Sequence, residues 1–197
     1  MAETQFSAVY NRFLGQITDD LYLELTPEDT LRDLQNLLLN ALPGFEFPRV
    51  NLYDYTIEVK QVYENELGEE DFVLGVVWQD LENEEDLNTI PKVLVDKSRF
   101  NIELSTEEIN ILALLMKQGW VQRQVTSIEN TRMKYSGSDF KLTSQANHLS
   151  KLMNLLEESR RDAFHMQRLY KRRKICEDGR YRSNWSTLLG KSTFDVD

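Results

Sequence analysis

One helix in the sequence is apolar on nearly every side, and it restricts the fold more than any other segment. The apolar run at residues 109–116 follows Ser105, and Glu108 stands three residues after that serine. A serine and a glutamate at this spacing form a capping box, in which each side chain binds the other residue's backbone amide, so a helix begins here. A helix that is apolar all round must be covered on every side. We therefore expect it to lie at the centre of a helical bundle and to continue to about Ile128.

Two helices are predicted before this central one. Apolar residues recur at helical spacing over residues 3–17. The second helix has Thr26 as its N-cap and Pro27 at its first position, and it ends at Leu42, before Pro43-Gly44. Both helices are expected to turn an apolar stripe toward the central helix.

A long helix is predicted after the central one, following a loop at residues 131–140. It opens at Thr143 or Ser144, carries apolar residues along one side, and reaches about Ile175. At 1.5 Å per residue it would be about 48 Å long, which matches or exceeds the width of a small domain. Its basic end is therefore expected to project from the body.

The region at about 45–97 is predicted to be a β insertion between helices. Residues 50–62 alternate and residues 72–78 are rich in valine and aromatic side chains, with a polar loop containing Gly68 between them. This pattern favours a β-hairpin. Residues 79–88 are acidic and predict an exposed loop, and residues 93–95 predict a short third strand.

The sequence thus predicts a mainly α fold. Residues 1–175 form one helical domain with the β insertion at about 45–97. Residues 176–197 lack periodicity and are interpreted as an extended C-terminal docking arm. An N-terminus without signal-peptide layout and the absence of a long apolar run argue against a membrane partner. The single cysteine, Cys176, indicates synthesis in a reducing cytoplasm.

The net charge of −10 is distributed unevenly along the chain. Residues 1–100 hold 7 Lys/Arg and 21 Asp/Glu, a net charge of −14, whereas residues 101–197 hold 16 and 12, a net charge of +4. Within the second half, residues 160–182 carry nine bases and three acids. Such polarity can orient a protein toward a partner or toward its own neighbour. The alternative is that these charges are simply solvated.

The sequence predicts neither a catalytic residue nor a metal or cofactor site, so we expect the protein not to be an enzyme. His148 and His165 are 17 residues apart on one predicted helix, about 25 Å along its axis, and cannot share a metal ion. No G-x-S-x-G elbow or glycine-rich phosphate loop is present.

The basic C-terminal segment is the predicted partner-docking site, because Arg and Trp are enriched at the centres of protein interfaces. The predicted docking residues are Arg172, Arg173, Lys174, Arg180, Tyr181, Arg182, Trp185, Leu188 and Leu189. Cations together with aromatics also suit a groove for single-stranded nucleic acid. A cytoplasmic regulatory or nucleic-acid-binding helical protein that uses residues 160–182 therefore remains an alternative.

The helix order resembles that of neck proteins of tailed bacteriophages, also called head-completion or adaptor proteins. The resemblance rests on the opening helix, the capped helix at residues 26–42, the helix beginning Ser105-Thr106-Glu107-Glu108 and the long helix with its basic tail. It also includes the stretch YSGSDFKLTSQAN at residues 135–147, which looks like phage virion proteins.

The resemblance implies a structural virion protein at the head–tail interface, assembled in the host cytoplasm. It implies a homo-oligomeric ring, usually dodecameric, coaxial with the portal and in contact with other neck or tail proteins. The arm would dock onto the portal or an adjacent copy, and DNA would pass through the channel without specific binding. The acidic residues expected to face the channel or the tail-side partner are Glu69, Glu70, Asp71, Glu82, Glu84, Glu85 and Asp86. A negatively charged lumen would repel DNA phosphates, whose protein contacts are mainly Lys and Arg.

Overall fold

The computed structural model describes residues 3–17, 25–63, 72–77, 92–134, 142–175 and 181–183. This part of the chain is mainly α-helical, with small antiparallel sheets, as the sequence predicts. The helices are α1 (Phe6–Leu14), α2 (Pro27–Ala41), α3 (Thr106–Lys134) and α4 (Leu142–Arg172), with a 3-10 turn at Leu42–Gly44. The strands are β1 (Thr4–Gln5), β2 (Tyr55–Thr56), β3 (Val59–Tyr63), β4 (Phe72–Val77), β5 (Lys92–Asp96), β6 (Arg99–Phe100), β7 (Arg173–Ile175) and β8 (Tyr181–Ser183).

The structure confirms both predicted helix caps. The amide of Asp29 donates to Thr26 Oγ1 at 3.2 Å, and Pro27 occupies the first position of α2. At the start of α3, the Ser105 amide donates to Glu108 Oε2 at 2.8 Å, and the Glu108 amide donates to Ser105 Oγ at 3.4 Å. These local contacts satisfy amides that have no partner within the helix, which is why the sequence alone locates both helix starts.

Helix α3 contacts each of the other described helices. Its Ile111, Leu112 and Met116 are fully buried and pack in one cluster with residues of α1 and α2. It extends to Lys134, six residues beyond the predicted end at Ile128 and into the segment predicted to be a loop.

The predicted hairpin between residues 50–62 and 72–78 is wrong. Strands β3 and β4 do not pair with each other, because β5 lies between them in an antiparallel sheet of order β3-β5-β4. Residues 93–95, predicted to be a minor third strand, form the middle of this sheet and are buried. A strand that is apolar on both faces gains most from the central position, which sequence adjacency does not reveal.

Ser98 joins the sheets to the helices. Its carbonyl accepts the Phe6 amide at 2.9 Å, and its hydroxyl accepts the Glu58 amide at 3.0 Å and Gln35 Nε2 at 3.4 Å. One residue thus ties the start of α1, the chain before β3 and the middle of α2 together. The β region therefore shares a core with the helices.

The basic end of α4 does not project from the body, so that prediction is wrong. Gln167 and Tyr170 are only 5% and 1% exposed and pack against the chain that follows α2. The start of the predicted extended arm also differs, because β7 and β8 pair antiparallel with Arg173 opposite Ser183. Residues 184–197 lie outside the described residues. Among the helices that are described, none combines the length and the apolar character needed to cross a bilayer.

Candidate functional site

The last turns of α4 carry two sets of side chains that are one residue apart in sequence and differ in burial. The first set lies buried against the body, and the second faces outward. The buried residues are Ala163, Gln167 and Tyr170, and the exposed residues are Phe164, Arg168, Lys171 and Arg172. Because each set follows helical spacing, each forms a continuous face.

Gln167 fixes the chain that follows α2 against the buried face. Its Nε2 donates to the Gly44 carbonyl at 3.2 Å, and its Oε1 accepts the Glu46 amide at 2.8 Å. Both ends of a buried amide side chain are therefore satisfied, as burial requires. This contact positions Phe47 beside the exposed face of α4.

Tyr170 connects the end of α4 to the start of α3. Its hydroxyl donates to Glu108 Oε1 and accepts the Arg49 amide at 3.2 Å. Its ring packs edge-on against Phe45, with the ring centroids 5.5 Å apart. Burial, and then the hydrogen bond to Glu108, raise the pKa of Tyr170 well above its usual range. The hydroxyl therefore remains a hydrogen-bond donor at neutral pH.

Arg49 completes the C-terminal end of α4. Its guanidinium lies over the Tyr170 ring, 3.9 Å from the centroid, and Nη2 donates to the backbone carbonyls of Tyr170 and Arg173. The last carbonyls of a helix have no partner within the helix and carry partial negative charge. A cation placed there donates hydrogen bonds to such carbonyls, and its positive charge offsets their partial negative charge.

Arg173, a predicted docking residue, forms an ion pair within the chain. Its Nη2 lies 3.0 Å from Glu107 Oε1 and its Nε donates to the same oxygen at 3.2 Å. Glu107 is buried, so this ion pair neutralises a carboxylate that would otherwise be costly to bury. We call Arg49, Glu107, Glu108, Tyr170 and Arg173 together the α4 clamp.

The exposed face forms a groove with the segment that Gln167 holds in place. We call it the aromatic groove; it has a volume of about 340 Å³ and is lined by Glu46, Phe47, Phe164, Gln167, Arg168, Lys171 and Arg172. Phe47 and Phe164 are 45% and 51% exposed.

Cations stand over both aromatic rings of the groove. Lys171 Nζ lies 3.8 Å from the centroid of Phe47, and Arg168 Cζ lies 5.5 Å from that of Phe164. These are cation–π distances. Within the part of the chain that the structure describes, Arg168, Lys171 and Arg172 have no carboxylate partner. The arrangement is suited to binding an anionic group beside an apolar one.

The structure places the other predicted docking residues as follows. Arg172 lines the groove, Lys174 lies in β7, and Tyr181 and Arg182 lie in β8. Arg180, Trp185, Leu188 and Leu189 lie outside the described residues. The seven acidic residues predicted to face a channel, from Glu69 to Asp86, also lie outside them. The hairpin pairing places Ser183, the last residue of β8, next to the end of α4.

Sequence reasoning missed both aromatic residues of the groove. A signal existed for Phe164, because it falls one position after Ala163 and is therefore out of phase with the buried stripe through Leu156 and Tyr170. No comparable signal existed for Phe47. Phe45 and Phe47 flank one glutamate in the same segment, and only the packing against α4 buries the first and exposes the second.

The described residues hold no metal site, and comparison with known proteins adds nothing to this description. In the described ranges, no group of three or more His, Cys, Asp or Glu side chains is placed to hold a metal ion. The sequence matches no family model, and comparison with curated proteins and with solved structures finds no significant match.

Proposed function

We propose that this chain is a structural protein of a tailed-bacteriophage neck, present in several copies in a ring that joins the portal to the tail and leaves a channel for DNA. The observation that carries the proposal is the aromatic groove at the basic end of α4. It is an exposed concave surface whose last lining residue, Arg172, directly precedes β7, and the predicted docking arm at residues 176–197 follows β7 in the chain. Aromatic and arginine side chains on a fixed support are typical of protein docking sites.

The charge distribution supports an assembly of identical copies. An acidic first half and a basic second half favour contacts between unlike surfaces of neighbouring chains. Contacts of this head-to-tail kind generate rings when the rotation closes. In this proposal the helices form a bundle that makes the ring body, the portal and other neck or tail proteins are the partners, and the dodecameric number is what the phage resemblance implies.

The seven acidic residues Glu69, Glu70, Asp71, Glu82, Glu84, Glu85 and Asp86 keep their proposed role at the channel or the tail-side partner. They belong to the half of the chain with a net charge of −14. The proposed location is the virion neck, after assembly in the host cytoplasm.

The test is the mass and stoichiometry of the purified chain, alone and after mixing with portal assemblies of the phage that encodes it. A discrete ring or co-sedimentation with the portal is expected. Replacing Trp185, Leu188 and Leu189 together by alanine should abolish co-sedimentation, while Met153→Ala, an exposed change elsewhere on α4, should not. A chain that remains monomeric and does not bind portals would overturn the proposal.

A second candidate is nucleic-acid binding by residues 160–182, favoured by the cations and exposed aromatics of the groove. However, several of these bases already have partners within the chain. Arg160 donates to Gln122, Arg161 pairs with Glu157, and Arg173 pairs with Glu107. Affinity for a single-stranded oligonucleotide that falls steeply with salt would favour this candidate.

A further inference from the structure

We propose that the aromatic groove binds an acidic protein segment that inserts one aliphatic or aromatic side chain between Phe47 and Phe164. This inference rests on the proposed function, since it names the chemistry of the partner that docks at this end of α4. It adds Phe47 and Phe164, which were not among the predicted docking residues, to the surface that the partner contacts.

The apolar part of the inference follows from the shape of the groove. An isolated exposed phenylalanine is ordinary on a protein surface. Here two half-exposed rings, one from the loop after α2 and one from α4, line the same concave space of about 340 Å³. Binding pockets combine such apolar walls with a few convergent polar groups.

The acidic part follows from the charges around the rings. Lys171 and Arg172 lie three and four positions after Arg168 in the helix, a spacing at which like charges repel. Arg168 and Lys171 each contact one of the two rings, and within the described residues no carboxylate pairs with any of the three cations. Carboxylates of a partner would relieve this repulsion and pair with the cations.

The same geometry favours a protein segment over a nucleic acid. A base-stacking platform needs an open ring face, and the Lys171 ammonium already occupies one face of Phe47. Glu46 lines the groove as well and would repel a continuous phosphate backbone. A short peptide can place its carboxylates at the cationic side and leave Glu46 facing an amide.

The groove is prepared for binding before a partner arrives. Gln167 holds the backbone on both sides of Phe45 by hydrogen bonds of 2.8 Å to the Glu46 amide and 3.2 Å to the Gly44 carbonyl, and Phe47 directly follows Glu46. A preformed site loses little conformational entropy on association.

The experiment is a selection of displayed random 12-residue peptides on the immobilised full-length chain, with counter-selection on the Phe164→Ala chain. The selected peptides, or winning peptides, are expected to carry several Asp or Glu residues around one Leu, Ile, Phe or Trp. The dissociation constant of one winning peptide is then measured by fluorescence polarisation for each variant. Phe164→Ala and Lys171→Glu should each weaken binding by about tenfold or more.

Matched controls lie on the same helix. Met153 is 52% exposed, as Phe164 is, and Lys151 is exposed like Lys171. Met153→Ala and Lys151→Glu should leave the affinity within about twofold of wild type. Thermal unfolding of each variant checks that it is folded. If Phe164→Ala does not fold, Lys171→Glu provides an independent test.

Several outcomes would overturn the inference. These are winning peptides without acidic residues, no winning peptide that depends on Phe164, or a 20-nucleotide single strand that competes for the groove. Self-association of the chain that Phe164→Ala abolishes and the winning peptide does not displace would also overturn it. Peptide binding that persists in a chain that ignores portals would contradict the proposed function and leave the groove inference standing.

Discussion

The end of α4 and the residue that follows it carry aromatic and cationic side chains that do opposite things. Tyr170, on the buried face, and Arg173, which follows α4 as the first residue of β7, form contacts within the chain. On the exposed face, Phe164 and Arg172 remain accessible beside the aromatic groove. One position in the sequence, as between Arg172 and Arg173, therefore separates a structural cation from one available to a partner. A run of charges in a sequence does not contain this distinction by itself.

The largest expected effect contrasts the aromatic residues of the two faces. Tyr170→Ala removes a buried ring and its hydrogen bonds, and should lower the free energy of unfolding by about 3–5 kcal/mol. Phe164→Ala, on the exposed face, should change it by no more than about 0.5 kcal/mol. Urea unfolding of both variants measures the difference. Similar losses for the two would mean that the faces are not distinct.

A smaller effect contrasts the neighbouring arginines. Arg173→Ala leaves the buried Glu107 carboxylate without its cation, and should lower the free energy of unfolding by about 1–3 kcal/mol. Arg172→Ala should have almost no effect on stability. If Arg172→Ala lowered the free energy of unfolding more than Arg173→Ala in chemical denaturation, the assignment of Arg173 to the α4 clamp would be wrong.

The local cap of α3 should contribute less than the ring of the clamp. Ser105→Ala removes the hydroxyl that accepts the Glu108 amide, and should cost about 1 kcal/mol. Thermal unfolding, with exposed Ser150→Ala on α4 as a control, measures it. A loss as large as that of Tyr170→Ala would show that the cap and the clamp act as one unit, since Glu108 belongs to both.

The smallest effect should come from an exposed ion pair away from α4. The hydrogen bond from Lys60, followed by the charge of Lys60, lowers the pKa of Glu58 below its ordinary value of 4.5. A lowered pKa in the folded state adds stability above 4.5, and this addition is lost as the pH falls through the folded value. The melting temperatures of wild type and Glu58→Gln should differ slightly at pH 7 and converge below pH 4.5. A difference in melting temperature that grows as the pH falls would contradict a lowered pKa for Glu58.

The prediction from sequence succeeded where contacts are local. Thr26 and Ser105 marked helix starts because their partners lie three residues away. The buried stripe of α4, including Leu156, Ala163 and Tyr170, follows from helical spacing alone. The candidate site was located only coarsely, since Arg172 lies in the groove but Arg173 does not.

Prediction failed where the partner is distant in sequence. The hairpin was assigned to adjacent strands, whereas β5 pairs with both of them. The projecting helix end was inferred from length, but Arg49, 121 residues before Tyr170, holds it against the body.

The sequence by itself determined the helices, their caps, the burial of α3 and the uneven charge of the two halves. These follow from spacing and side-chain chemistry over one or two turns. Only the tertiary structure decided the order of the β3-β5-β4 sheet, the ion pair of Arg173 within the chain and the placement of Phe47 and Phe164 in one groove. Each of these depends on which distant surfaces pack together, because burial and pairing are set by the whole core and not by neighbouring residues.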